Sequence, residues 1–283
     1  MFKKLLLLTV VCCSSIFSEV IIWDFGGILF EPDKLGVAKE IGLQRFISYL
    51  FMDWKNPNIE KLLYDVLARV PSDYQPGPTE KHFNPAGSAH GLPLPPIMCE
   101  WQAGTKTGTE IIKLAEKQIA LLAQQNFFQS EREKELITKT IQTMFNPHVL
   151  ARNVYPVEEG VRLLKECAAV RNQNGRRRHR LVAFSNWDHL SFKSFYKRNT
   201  QVFKYFDHVV ISGDIHRIKP YKNAFEYLIY TLRLNPHDCI LIDDQKVNAD
   251  GAKACGMRAL LINGNDYDAL RIQLIKYGVL PSH

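Results

Sequence analysis

The chain predicts an α/β fold, a three-layer Rossmann-like parallel sheet interrupted by an inserted helical domain. Three observations predict it. First, short runs rich in Val, Ile and Leu recur, and each stops at polar residues. Residues 20–23 precede Asp24, 181–184 precede Ser185 and Asn186, 209–211 precede Ser212, and 240–242 precede Asp243 and Asp244. Uniformly apolar runs of this length read as strands buried on both faces, the usual state of parallel strands. Second, helical patterns alternate with such runs from Pro156 onward: helices over 157–170, 188–198, 221–233 and 248–255, strands over 181–184, 208–211, 239–242 and 258–262. Regular alternation implies right-handed crossovers and a sheet covered on both faces. Third, the first strand, 20–24, is separated from the others by a mainly helical block. Residues 33–152 therefore read as an insertion, and 19–32 with 153–283 as one core.

The insertion carries helical patterns over 35–54, 58–69, 107–125 and 130–145, with Asn146-Pro147 marking a break. Between the second and third of these lies 71–101, which contains seven of the chain's 14 prolines: Pro71, Pro76, Pro78, Pro85, Pro93, Pro95 and Pro96. A loop that long reads either as a lid or as a surface insertion.

At 283 residues, 46% hydrophobic and 23% charged, the chain can bury a full core. That composition excludes disordered and collagen-like classes. Part of the net charge of +7 is local. Arg176, Arg177, Arg178, His179 and Arg180 read as a solvated turn before a strand, because a nucleic-acid footprint needs a wider basic stripe or interleaved aromatics. No nucleic-acid partner is expected. Residues 1–18 resemble an export signal: Lys3 and Lys4, an apolar stretch from Leu5 to Val11, then small residues up to Ser18. The expectation is an exported protein, periplasmic or secreted. The alternative is a cytoplasmic protein whose first residues form a strand or helix. No other stretch is long and apolar enough for a membrane span. Cys99, Cys167, Cys239 and Cys255 would remain after cleavage. Their even number permits disulfides, but their spacing suits no zinc site.

In open α/β sheets, ligands bind beyond the carboxyl ends of the strands. Asp24, Ser185, Asn186, Lys219, Asp243 and Asp244 should therefore converge on one crevice. A strand-end carboxylate such as Asp24 can act as a nucleophile, and Gly26 and Gly27 after it allow close backbone approach. A hydroxyl and an amide can donate to phosphate oxygens. Lys219 would neutralise anionic charge. Adjacent carboxylates at a strand end suit Mg²⁺, which prefers oxygen ligands. Each feature has a plainer reading on its own: a turn-capping Asp, a helix cap, a surface lysine.

Taken together, the stretches "IIWDFGGILFEP", "LVAFSNWD", "ISGDIHRIKPYKNAFEYLI" and "CILIDDQKVNADGAKACGMRALLI" resemble the four motifs of the haloacid dehalogenase superfamily, in order. The resemblance covers roughly 19–32 and 155–264, and the insertion falls where subfamily I carries its C1-type helical cap. It implies an enzyme, a hydrolase, most often a phosphatase acting on a small phosphorylated substrate. Asp24 would form an aspartyl intermediate and Lys219 would stabilise it. Ser185, Asn186 and Gly27 would hold the phosphate, and Asp24, the Gly26 carbonyl, Asp243 and Asp244 would hold Mg²⁺.

Two departures stand out. Family phosphatases usually carry a second Asp two positions after the nucleophile, as general acid and base, and this chain has Gly26 there. The glycine often found before the Lys-Pro pair is also missing, with His216 and Arg217 in that stretch. Dehalogenases and phosphonatases of the superfamily also lack the second Asp, so both remain alternatives, as does an impaired HAD-fold binding protein. The dehalogenases use no Mg²⁺, against which the Asp243-Asp244 pair speaks.

Overall fold

A computed structural model describes residues 18–42, 59–74 and 93–282. Five strands form one parallel sheet: β1 (Glu19–Trp23), β4 (His179–Ser185), β5 (His208–Ile211), β6 (Cys239–Asp243) and β7 (Arg258–Leu261), in the order β5-β4-β1-β6-β7. Two further strands, β2 (Phe30–Pro32) and β3 (Val154–Pro156), pair antiparallel with each other. The predicted core strands exist, with ends shifted by at most two residues. The small β2–β3 pair carries no apolar run long enough to show in the sequence.

The sheet is buried on both sides. Ile21, Ile22, Leu181, Val182, Ile240 and Leu241 are fully inaccessible. Because successive side chains alternate across a strand, Ile21 and Trp23 face one core cluster while Val20 and Ile22 face the other.

The helices of the insertion are α1 (Lys34–Ile41), α2 (Ile59–Leu67), α3 (Pro96–Gln102), α4 (Gly108–Gln124), α5 (Glu131–Met144) and α6 (Pro147–Arg152). Those of the core are α7 (Glu158–Ala169), α8 (His189–Arg198), α9 (Thr200–Phe203), α10 (Ser212–Ile215), α11 (Lys222–Leu232), α12 (Lys246–Ala254) and α13 (Tyr267–Lys276). Leu163, Leu164 and Cys167 of α7 pack with Leu270 and Leu274 of α13 on one face of the sheet. Ala224, Phe225 and Leu228 of α11 pack with Ala252 of α12 on the other. The three layers predicted from the alternating pattern are present.

The insertion has its own apolar core, built from Val66, Ile97, Trp101, Ile111, Ile137, Ile141 and Phe145 among others. Helix α4 starts at a capping box: Thr107 Oγ1 accepts from the Glu110 N–H (3.3 Å) and Glu110 Oε2 accepts from the Thr107 N–H (2.7 Å).

The break expected at Asn146-Pro147 is present: α5 ends at Met144 and α6 starts anew, Asn146 Oδ1 accepting from the N–H groups of His148 and Val149 and Pro147 taking the first helical position, where its missing N–H costs nothing. Two sequence expectations need correction. The Pro-rich stretch 71–101 is not loop to its end, because Pro96 opens α3 in the same way. The basic run is not all turn, because His179 is fully buried in β4 and Arg180 donates to the Leu232 carbonyl. Cys99, Cys167, Cys239 and Cys255, whose pairing the sequence left open, are free thiols. The predicted helix 35–54 is described only over α1, and residues 1–17 of the export segment lie outside the described residues. Among the described residues no helix is long and apolar enough to cross a membrane.

Candidate active site

Strand order places the crevice. From β1 the chain crosses to β4 and β5 on one side, then back to β6 and β7 on the other. Adjacent loops part at such a switch, beyond the strand ends. A pocket of about 320 Å³ opens there, and Asp24, Gly26, Gly27, Ser185, Asn186, Lys219 and Asp244 all line it. The side chains singled out in the sequence thus reach one place, with Asp243 just beneath.

Asp24 follows the last residue of β1, and its N–H extends the ladder to the Ile242 carbonyl (3.0 Å). That bond fixes the backbone from which the carboxylate projects. The next turn is tight: the Phe25 carbonyl accepts from the N–H groups of Ile28, Leu29 and Phe30. Gly27 holds φ +67°, and a β-carbon there would lie 2.6 Å from Asp244 Oδ2. Glycine at 27 therefore leaves room for Asp244, and the left-handed backbone suits it. Its N–H donates to the Phe30 carbonyl (3.1 Å), so in this arrangement it is not turned toward a phosphate.

Lys219 is buried, with 1% of its side chain exposed. Its ammonium lies 2.9 Å from Asp24 Oδ1 and 2.6 Å from Asp243 Oδ2. Burial opposes the charge, but the two carboxylates outweigh it and hold the lysine above its usual range. The Asn186 amide bridges the Lys219 backbone: Nδ2 donates to the Lys219 carbonyl (2.8 Å) and Oδ1 accepts from the Lys219 N–H (2.9 Å). Its side chain thus positions the lysine, and it lines the pocket as well. Lys219→Met should cost about 3–5 kcal/mol, because it leaves Asp24 and Asp243 buried against each other without their cation. Urea unfolding measures this; unchanged stability would mean that the lysine does not balance those carboxylates.

The adjacent acids divide. Asp243 is fully buried, with both oxygens engaged: Oδ2 with Lys219, Oδ1 with the Gln245 N–H (2.9 Å) and Asn248 Nδ2 (3.0 Å). Asp244 faces the pocket. Burial, then repulsion from Asp24 and Asp243, pushes its carboxyl from 3.8 up to about 7. Ligand oxygens of Asp24, Asp243 and Asp244 lie within 4.8 Å of one another. Three carboxylates face one ammonium, and the cluster resists its own ionisation. That donor set fits a divalent cation with oxygen preference.

The sign of the pH dependence follows. A carboxylate whose pKa is raised by folding favours the fold while protonated. That contribution is lost as pH rises from about 4 through about 7. Mg²⁺ needs the ionised form, so its affinity should fall about tenfold per pH unit below 7. Calorimetric titration between about pH 6 and pH 8 checks this. A flat affinity, or an Asp244→Asn protein that binds Mg²⁺ as the wild type does, would remove Asp244 from the metal site.

Ser185 is buried and lines the pocket. Ser212 and His216 do not line it. Ser212 Oγ donates to the Gln102 carbonyl (2.6 Å), and His216 Nδ1 lies 2.8 Å from the Ala103 carbonyl, so both tie the end of α3 to the core. The sequence reading did not assign Trp101, Gln102, Leu150, Trp187, Asp188 or Gln245, which line the pocket as well. Trp187 and Asp188 stand directly after Ser185-Asn186, and that adjacency was an available signal. Trp101 and Leu150 come from the insertion and carried none. The Asp188 carboxylate caps α8, and both its oxygens are taken by Ser191, through its N–H (3.0 Å) and its hydroxyl. Gly26 sits two positions after Asp24 with no acidic side chain.

A family model for haloacid dehalogenase-like hydrolases matches residues 19–256. Among solved structures, the chain is similar to a HAD family enzyme from Bacteroides thetaiotaomicron, with 14% identity over 90% of this chain and 98% of that one, at a TM-score of 0.53. An Asp-to-Ala mutant of that enzyme, in complex with magnesium and inorganic phosphate, is similar at 14% identity over 89% and 98% of the two chains, with a TM-score of 0.51. An L-2-haloacid dehalogenase from Xanthobacter autotrophicus with chloropropionic acid covalently bound matches at 12% identity over 93% and 84%, with a TM-score of 0.46.

Proposed function

Because the chain belongs to the haloacid dehalogenase-like hydrolase family, we propose that it is a Mg²⁺-dependent phosphatase working through an aspartyl phosphate on Asp24. The observation that carries this reading is the cluster of Asp24, Asp243 and Asp244 around Lys219 at the pocket. A dehalogenase would leave the third carboxylate, Asp244, without a cation to bind. The magnesium and phosphate held by the Bacteroides enzyme lend the reading further support.

Asp24 would attack phosphorus from the end of β1. Lys219 lowers the repulsion between that carboxylate and the approaching phosphate. Ser185 Oγ would donate to a phosphate oxygen, while Asn186 keeps the lysine backbone in register. Asp24, Asp244 and the Gly26 carbonyl would hold Mg²⁺, with Asp243 orienting Lys219 behind them. Bound there, the ion neutralises charge on nucleophile and phosphate. The test is phosphate release from a panel of phosphate monoesters with Mg²⁺ or with chelator. Release that needs Mg²⁺ is expected, and release equal in both conditions would exclude the metal.

Residues 1–18 are proposed as an export segment removed at Ser18. What supports this is the sequence: Lys3 and Lys4, then the apolar stretch from Leu5 to Val11; the Ser18 N–H donates to the Arg178 carbonyl (3.0 Å), a contact that cleavage after Ser18 would remove. Mass spectrometry of the protein from a bacterial host should find a mature terminus near Glu19. Full-length protein confined to the cytosol would exclude export.

A further inference from the structure

We infer that the substrate is an aryl phosphate, the phosphate ester of a small uncharged phenol, with its ring held by Trp101 and Trp187. The inference rests on the phosphatase reading and on two independent features.

The first is the apolar part of the pocket lining. Trp101 and Leu150 come from the insertion and Trp187 from the loop after β4. Both indoles are fixed by packing. Trp187 stacks on Phe195 (centroids 4.6 Å apart), and its Nε1 donates to Ser191 Oγ (2.8 Å). Trp101 meets Phe145 edge to face at 4.9 Å. Rigid aromatic walls favour an aromatic guest, with pair contributions of about 0.5–1.5 kcal/mol beyond area burial. Among the described lining residues Lys219 is the only cation, and it is already shared by two carboxylates. The described lining thus offers no second cation to a further phosphate or carboxylate on the leaving group. At about 320 Å³ the pocket is at the small end for ligand sites, suited to a single ring.

The second feature is the missing acid. Gly26 cannot protonate a leaving oxygen, and Asp188 is committed to Ser191. A phenol ionises near pH 10, as tyrosine does, whereas bulk water, comparable to a simple alcohol, does so near 15.7. When Asp24 attacks phosphorus, the bond from phosphorus to the aryl oxygen breaks. Its electron pair stays on a phenolate, which takes its proton from solvent. Water then attacks phosphorus of the aspartyl phosphate, releasing inorganic phosphate and restoring the carboxylate. An alkoxide leaving the same site would get no such assistance, worth about 10²–10⁴-fold, from position 26 or from Asp188.

Four substrates separate the two features: phenyl phosphate (ring, good leaving group), benzyl phosphate (ring, poor leaving group), acetyl phosphate (no ring, good leaving group) and ethyl phosphate (neither). Phenyl phosphate should have the highest kcat/KM. Its KM should be at least about tenfold below that of acetyl phosphate, and its kcat at least about 10²-fold above that of benzyl phosphate. Trp101→Leu, verified as folded by its melting curve, should raise KM for phenyl phosphate more than for acetyl phosphate. Quenching of tryptophan fluorescence by phenol reads ring binding without turnover. If acetyl phosphate is hydrolysed with no advantage from a ring, the aryl assignment is overturned while the phosphatase reading stands. If none of the four releases phosphate with Mg²⁺, the phosphatase reading fails, and the fluorescence titration still decides whether the pocket takes a phenol.

Discussion

Asp24→Asn should give a folded protein that has lost roughly 10⁴–10⁶-fold in phosphate release, the scale seen when a covalent nucleophile is removed. Asparagine keeps the shape but cannot form the acyl phosphate. The fold should survive, because Asp243 Oδ2 still faces the Lys219 ammonium at 2.6 Å. Loss of one charge-assisted contact costs about 1–3 kcal/mol, and relief of repulsion on Asp243 and Asp244 offsets part of it. The measurement is single-turnover phosphate release beside a thermal melt. Wild-type turnover by a folded Asp24→Asn protein would remove the covalent mechanism, and an unfolded one would show that the carboxylate is mainly structural.

Gly26→Asp carries the second large effect, a gain. If the enzyme lacks only the acid, the substitution should raise turnover of alkyl phosphates about 10²-fold or more and change aryl phosphates little. The backbone allows it. Gly26, unlike Gly27, is not in the left-handed region, and an added β-carbon would meet nothing nearer than Asp24 Oδ2, at 3.8 Å. The acid is therefore missing by choice of side chain, not because the turn forbids one. The readout is the ratio of phenyl to ethyl phosphate turnover in both proteins. An unchanged ratio in a folded Gly26→Asp enzyme would mean that protonation of the leaving group does not limit the reaction.

Much of this site is legible along the chain because a parallel strand imposes strong local rules. Burial on both faces demands an unbroken apolar run, and the first polar residue after it must emerge at the strand's carboxyl end. Residues 20–23, 181–184 and 240–242 obey this, so Asp24, Ser185 and Asp243 were located before any coordinates. The alternation from Pro156 onward likewise determined the layers. Helix α13 and the β2–β3 pair lay beyond that reach, the helix for its weak amphipathicity and the pair for its shortness.

What the sequence determined by itself was therefore the sheet, its helical cover and the identity of the groups that meet at its open end. The tertiary structure decided which atom of each group is free. Asn186 turned out to brace Lys219, the Gly27 N–H closes its own turn, and Asp243 is saturated while Asp244 faces the pocket. The same holds for Trp101, which lines the pocket together with Trp187 while the end of α3 is tied to the core through Ser212 and His216. Burial and periodicity act within a few residues and leave their pattern in the chain. A hydrogen bond between positions 33 apart, or an indole delivered from a separate helical insertion, depends on how distant segments close in space, and no local pattern records that.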